Sequence, residues 1–497
     1  MSLLGIDIGT THCKAGVFRE DGKAVRIASR PTRTRQDGLG RYFYDPGELW
    51  ETAAACIREV LREGTQDVQS IGIASMAESG LLVDSRTGTA KTAFLPWFDS
   101  RSMDQAERIG KEADPYERFR ITGLRSSYKN GLAKLLWLKE QDPDILNHAV
   151  WLSASDYAAF RLTGTMATDY SLAGRTFAFD INKREWDSSW ICHFGLNPDL
   201  FPAALPAGSR LGCVHSGASA ETGLPPGTPV AIAGHDHVCA ALAVGAVREG
   251  DMYVSAGTAE TLVGILPDSE LSQREYDSGL SYGLHAVQGQ RFWMGGISAS
   301  GGSVEWLRGL LGDDGLSYQE LMGLLESGRK EPTGILYFPY LSGSGAPWPD
   351  AGARAAFVGL TKAHGKADLL QAALEGTAYE LEAIRRSAEK TGCPPFTRMT
   401  TVGGGTRNRR WMQIKADVTG CLMEVPAIEE ATLLGASLTA AAGCGIYSDE
   451  REAAAAVKPE AFTRYKADPE RHKQYLDLYE KGYLALQPAL RQFYHTY

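Results

Sequence analysis

Apolar and polar positions alternate in short blocks at the start of the chain. Leu3-Leu4-Gly5-Ile6-Asp7-Ile8 runs as a strand into Gly9-Thr10-Thr11, and Lys14-Ala15-Gly16-Val17-Phe18 resumes strand-like composition. This predicts a β-hairpin with Gly and Thr at its tip. From Pro46 to Arg62 apolar residues recur at helical spacing, and Ser70 to Ala74 is an apolar strand. Hairpin, helix and strand in this order predict a mixed α/β layer.

Near the middle, Tyr253-Val254-Ser255-Ala256-Gly257-Thr258-Ala259-Glu260-Thr261-Leu262-Val263 repeats the design: strand, Gly-Thr turn, strand. Gly9 and Gly257 lie half a chain apart, so the pattern implies two halves of one ancestral fold. The boundary falls near residues 245 to 250, giving domains 1–246 and 247–497 with a cleft between them. Two further glycine turns, Gly295 to Gly302 and Val402-Gly403-Gly404-Gly405-Thr406, each precede a helical run, Val304 to Leu311 and Arg410 to Val418. Such turns let backbone N–H groups face a ligand. From Glu450 onward the pattern predicts charged, exposed helix.

Composition narrows the class. The 497 residues exceed what one hydrophobic core organises, and 43% hydrophobic with 22% charged residues is ordinary for a compact globular protein. A net charge of −9 offers no field for nucleic acid or anionic lipid, so neither is expected as a partner. The eight scattered cysteines form no zinc spacing and predict reduced thiols. Asp7 interrupts the first apolar run, which excludes the apolar region of a signal peptide there; a cytoplasmic protein is expected.

Chemistry concentrates at two carboxylates. Asp7, in an apolar strand beside the first turn, is costly to bury without compensation. It reads either as a magnesium ligand through water or as a cap of its own turn. Asp236 follows the apolar strand Val230-Ala231-Ile232-Ala233-Gly234-His235 and precedes an apolar helix start. It reads either as the helix N-cap or as a base accepting the proton of an attacking hydroxyl. Two Gly-Thr hairpins and two glycine turns at helix starts fit a nucleotide held between lobes, without a Walker A loop.

These residues resemble the FGGY family of carbohydrate kinases. Ala355-Ala356-Phe357-Val358-Gly359-Leu360, seven residues, then Asp368-Leu369-Leu370-Gln371-Ala372-Ala373-Leu374-Glu375 fits the family's C-terminal signature. The resemblance implies two actin-like ATPase domains of ribonuclease-H type flanking a deep cleft, with ATP and Mg2+ bound there and a homodimer common among relatives. It implies Asp236 as catalytic base, and the opening Asp7-Ile8-Gly9-Thr10-Thr11 stands in the family's order, with Asp7 the candidate metal residue. Thr10, Thr11, Lys14, Gly257, Thr258, Gly301, Glu305, Gly404 and Asn408 match nucleotide-binding positions.

For the acceptor, the resemblance points to Glu78, Asp99, Arg101 and Tyr128 together with Asp236. Met76-Ala77-Glu78-Ser79 occupies the segment that is Gln-Arg-Glu-Thr in glycerol kinases and Gln-Met-His-Gly in xylulokinases, and Trp97-Phe98-Asp99-Ser100-Arg101 matches a Trp-x-Asn/Asp-x-Arg segment. Ser344 and Gly345 stand where the family has Glu-Arg. An acidic pocket of Glu78, Asp99 and Asp236 would repel an aldonate unless Arg101 turned inward, so a neutral ketose or polyol is expected as substrate. A sugar-acid kinase and an actin or heat-shock type ATPase are the alternatives.

Overall fold

The computed structural model describes residues 1–62, 67–312 and 315–496. The first half opens with the expected hairpin, β1 (Ser2–Ile8) and β2 (His12–Arg19), extended by β3 (Ala24–Pro31). Helix α1 (Pro46–Leu61) starts at Asp45, whose carboxylate accepts the Glu48 N–H, with Pro46 at the first helical position. It packs on β2 and β3 and leads to β4 (Val68–Ser75). After a largely helical excursion come β5 (Arg210–Cys213), β6 (Pro229–His235) and α2 (Asp236–Ala243). The sheet runs β5-β6-β4-β1-β2-β3, with β1, β4 and β6 mutually parallel.

The second half repeats this order, except that the counterpart of β5 comes last instead of before the counterpart of β6. β7 (Met252–Ala256) and β8 (Glu260–Pro267) form the second hairpin, followed by β9 (Ser281–Leu284), β10 (Gln290–Ile297) and helix α3 (Gly301–Leu310). Then come α4 (Lys366–Lys390), β11 (Arg398–Val402), α5 (Arg409–Thr419), β12 (Leu422–Pro426), α6 (Ala431–Gly443) and β13 (Phe462–Tyr465). The sheet runs β9-β10-β8-β7-β11-β12-β13. Apart from the added edge strand β9, each strand has its counterpart in the first sheet, and the parallel and antiparallel pairings match. The duplication read from two short hairpins extends through six strands.

Helix α6 lies beyond residue 247 in the chain yet covers the first sheet, against β1, β4 and β6, and packs along α2. Leu433, Leu434 and Leu438 share one buried cluster with Leu3, Phe18 and Val238 of the first half and Tyr253 and Val263 of the second. Gly72 makes this approach possible: a Cβ there would stand 1.8 Å from the Ala436 carbonyl oxygen.

The tail differs from the exposed helix expected of it. β13 pairs with β12 as an edge strand, and Tyr475, Tyr479, Tyr483 and Tyr494 are buried. Their neighbours on α4 are carboxylates: Glu375 accepts from the Tyr475 hydroxyl at 3.0 Å, and Glu380 from Tyr483 and Tyr340. Tyrosine combines an apolar ring with one donor, so it can be buried against an acidic helix face that would reject leucine. The eight cysteines are free thiols.

Candidate active site

Of the cavities lined from both halves, two hold the residues expected at the site. The first, about 630 Å3, is lined from the first half by Thr10, Glu78, Trp97, Tyr128, Lys129, Arg175 and Asp236, and from the second by Thr261, Ser281 and the glycine segment 295–296. The second, about 670 Å3, is lined by Lys14, Ser255, Gly403, Gly404, Thr406 and Glu430.

Asp236 is the first residue of α2, and the cap is its neighbour, His235, whose ring accepts the His237 N–H at 3.1 Å. The same N–H reaches Asp236 Oδ1 at 2.7 Å, and His235 Nδ1 lies 3.0 Å from that oxygen. Oδ2 has no donor among the described residues, leaving it for a ligand. Burial pushes the Asp236 carboxyl up, but the imidazole of His237, the His235 contact and the His237 N–H outweigh it and hold it at about 2. The strand end is set by Gly234, at φ 103°, where a Cβ would stand 2.6 Å from the Asp169 carboxylate. Asp169 caps the short helix Tyr170–Ala173, which presents the Ser171 hydroxyl to the His235 N–H at 2.9 Å.

Asp7 is 9% exposed, and its Oδ1 is buried without a hydrogen-bond partner. Burial drives its pKa well above normal; the Asp236 and Glu430 charges add to this and Lys14 opposes it. Asp7 thus feels Asp236 from one cavity and Lys14 and Glu430 from the other. An unpaired buried carboxylate between two cavities fits a magnesium ion held mostly by phosphate and water, which needs only one or two protein carboxylates. No group of three His, Cys, Asp or Glu side chains among the described residues is placed to hold a metal.

Of the residues expected at the nucleotide, Lys14 and Gly404 line the second cavity. Lys14 is held by Glu430, Nζ to Oε2 2.6 Å. Thr10 lines the first cavity instead, where its Oγ1 accepts from Trp97 Nε1 at 2.9 Å. Thr11 is exposed beside it, its carbonyl taking the Thr32 N–H. Gly257 and Thr258 zip onto the start of α3: the Gly257 carbonyl accepts from Gly301 N–H at 3.0 Å, and Thr258 from Ser300 and Gly302. Glu305 is engaged by Arg308 and the Tyr318 hydroxyl, and Asn408 caps α5 through the Trp411 N–H.

At the acceptor side, Glu78 and Tyr128 line the first cavity, while Asp99 and Arg101 do not. Asp99 is 3% exposed and is spent on Arg101, Nε to Oδ1 2.5 Å, and on the Tyr42 N–H. Glu78, at φ 62°, is fixed twice: Arg175 donates Nε and Nη2 to its Oε1 at 3.1 and 2.5 Å, and Lys134 donates to its carbonyl. Burial opposes ionisation of Glu78, but Arg175, Lys129 and Lys134 outweigh it and hold the carboxyl below its ordinary value. Burial brings Lys134 itself down to about 7. The expected acidic pocket is therefore corrected: Asp99 is elsewhere, and Glu78 is matched by Arg175. Arg175 and Lys134 escaped the sequence reading, although each is a lone charge in an apolar run, Leu172 to Phe179 and Leu132 to Leu136, and such a charge needs a buried partner.

Residues 2–243 match the N-terminal domain, and residues 252–444 the C-terminal domain, of the FGGY family of carbohydrate kinases. The chain belongs to that family. This FGGY kinase is 28% identical over 495 residues to a xylulose kinase of Staphylococcus epidermidis, covering 99% of this chain and 96% of that one. It is 26% identical over 448 residues to a gluconokinase of Bacillus subtilis, covering 88% and 86%. Its fold matches the crystal structure of a "xyloylose kinase" from Brucella ovis with a TM-score of 0.90 at 24% identity, over 99% of this chain and 100% of that one. The FGGY kinase is thus a carbohydrate kinase with the family's two-domain actin-like fold, and kinases of this family use ATP. Among its described residues no helix is long and apolar enough to cross a membrane.

Proposed function

We propose that the chain transfers the γ-phosphoryl group of MgATP to a hydroxyl of a neutral ketose or polyol, with Asp236 as the base. The observation that carries this reading is the Asp236 carboxylate: it is preorganised by His235 and His237, lines the first cavity with one oxygen uncommitted, and is electrostatically coupled to Asp7. When bound, MgATP supplies the phosphoryl group and the metal charge that screens it.

The chain's own residues orient and deprotonate the acceptor. Tyr128, Trp97 and Glu78 wall the cavity in which a sugar would lie, and Glu78 Oε2 is left to accept from a hydroxyl. A carboxylate as acidic as Asp236 is a weak base, which suits a loose transition state: the hydroxyl becomes strongly acidic only as its bond to phosphorus forms. Lys14, the Gly403-Gly404 turn and Asp7 are the groups that would meet phosphate oxygens and metal. Closure of the halves would exclude water as a competing acceptor.

A neutral acceptor is favoured by charge balance rather than by an acidic pocket. Glu78 is matched by Arg175 and Glu260 by the buried Lys415, and of the remaining charges that line the cavity one, Asp236, is negative and one, Lys129, is positive. The xylulose kinase named among the relatives is in line with a ketose. The test is coupled ADP release over a panel of polyols, pentuloses, hexuloses and aldonates, with Asp236→Asn as control. Acceptor-dependent ADP release that vanishes in the variant, with ATP binding retained, is expected; ATP hydrolysis indifferent to every acceptor would overturn the reading.

A further inference from the structure

The charged groups lining the first cavity pair off, with one exception. Glu78 is bound by Arg175, Glu260 by Lys415, and Asp236 is held by two histidine contacts and reserved for the acceptor hydroxyl. Lys129 acts on Glu78 through its charge, together with Arg175 and Lys134, yet it forms no ion pair among the described residues. Its ammonium stands 5.1 Å from the ring centroid of Trp97, and Trp97 is itself tied to Thr10 by its indole N–H. The lysine is therefore placed by a fixed aromatic wall and keeps its donors free. The neighbouring wall has no second cation: Ser342, Gly345 and Ala346 line it, and the Ser344 hydroxyl is turned to the Trp348 carbonyl at 2.6 Å.

An ammonium only donates hydrogen bonds, whereas Glu78 Oε2 and Asp236 only accept. The cavity thus has an accepting side, suited to hydroxyls, and Lys129 as a group that only donates and is held in no ion pair; the Tyr128, Thr261 and Ser281 hydroxyls that also line it can both donate and accept. Resting on the kinase reading, we infer that Lys129 is the specificity residue of the acceptor site, binding a carbonyl oxygen and so selecting a ketose over the polyol of the same length and configuration. A carbonyl is a pure acceptor and satisfies the lysine without orienting a hydroxyl proton. A polyol offers a hydroxyl that must forgo donation there. An aldonate would also pair with Lys129, but its full charge would upset the balance between Lys129 and Asp236.

The experiment compares kcat/KM for a pentulose, the matching pentitol and the matching pentonate in the native protein, Lys129→Met and Lys129→Arg, with thermal unfolding to confirm folding. The pentulose should lead in the native protein. Lys129→Met should lower its kcat/KM roughly 10- to 100-fold, mostly through KM, and the pentitol's far less, with Lys129→Arg recovering part of the loss. A pentulose-to-pentitol ratio unchanged in a folded Lys129→Met protein, or a lead for the pentitol or pentonate, would overturn the inference. Should no acceptor turn over, Trp fluorescence titration separates the two ideas. Pentulose binding that weakens in Lys129→Met but persists in Asp236→Asn upholds the specificity role while the kinase reading fails; no pentulose binding sinks the role itself.

Discussion

The two hairpins that open the two halves share a backbone and differ in chemistry. In the first, Asp7 pairs across the strands with Lys14; in the second the corresponding Ser255 pairs with Thr261. The strand-to-helix junctions show the same divergence. β6 delivers Asp236 directly into α2 behind a capping histidine, whereas β12 leads to α6 through Glu430, which sits at φ 54° with no side-chain cap bond and turns to Lys14. Duplication explains where functional positions can exist, at strand ends facing the cleft. It does not say which copy is charged.

The sharpest way to break the comparison is to exchange charge for neutrality at equivalent places. Asp236→Asn should lower turnover by about 10³-fold or more while nucleotide binding, followed by calorimetry, persists; the counterpart Glu430→Gln should cost about tenfold, read mainly in the KM for ATP. Equal losses would mean that the junctions are not differentiated as described. Asp7→Asn should reduce turnover about 10²-fold and raise the magnesium needed for half-maximal rate, while Ser255→Ala changes either by less than about threefold.

A smaller effect concerns the ion pair peculiar to the first half. Arg175→Met leaves Glu78 buried without its partner, so the protein should lose about 3 kcal/mol in denaturant unfolding and bind the acceptor more weakly. An unchanged midpoint would show that the pair is not buried in solution. The smallest is a pH effect on stability. Burial, reinforced by their mutual charge in the case of Asp156, raises Asp156 to about 7 and Asp169 to about 6. Unfolded carboxyls release their protons near pH 4, so the folded state binds more protons between pH 4 and 7. These groups therefore favour folding most at low pH, and the contribution of Asp156 alone falls by roughly 2–3 kcal/mol as pH rises from 5 to 8. Asp156→Asn should flatten that fall; an identical slope would place its pKa in the ordinary range.

What the sequence by itself determined is whatever depends on neighbours a few residues away. The repeated strand, Gly-Thr turn and strand announced two halves, and apolar periodicity marked α1 and β4 within two residues of their observed ends. Asp7 and Asp236 stood out as carboxylates at the ends of apolar strands. The tertiary structure decided the rest. Glu78 and Arg175 are 97 residues apart, and Lys14 and Glu430 are 416, so no local spacing could pair them. Asp99 and Arg101, read as acceptor residues, are close enough in sequence to satisfy each other away from the cavity wall. The tail read as exposed because its tyrosines and charges look amphiphilic, and only the carboxylate face of α4 gives those hydroxyls a buried partner. Local pattern is set by backbone geometry, which repeats along the chain; partnership between charges is set by distance in space, which the chain's order does not contain.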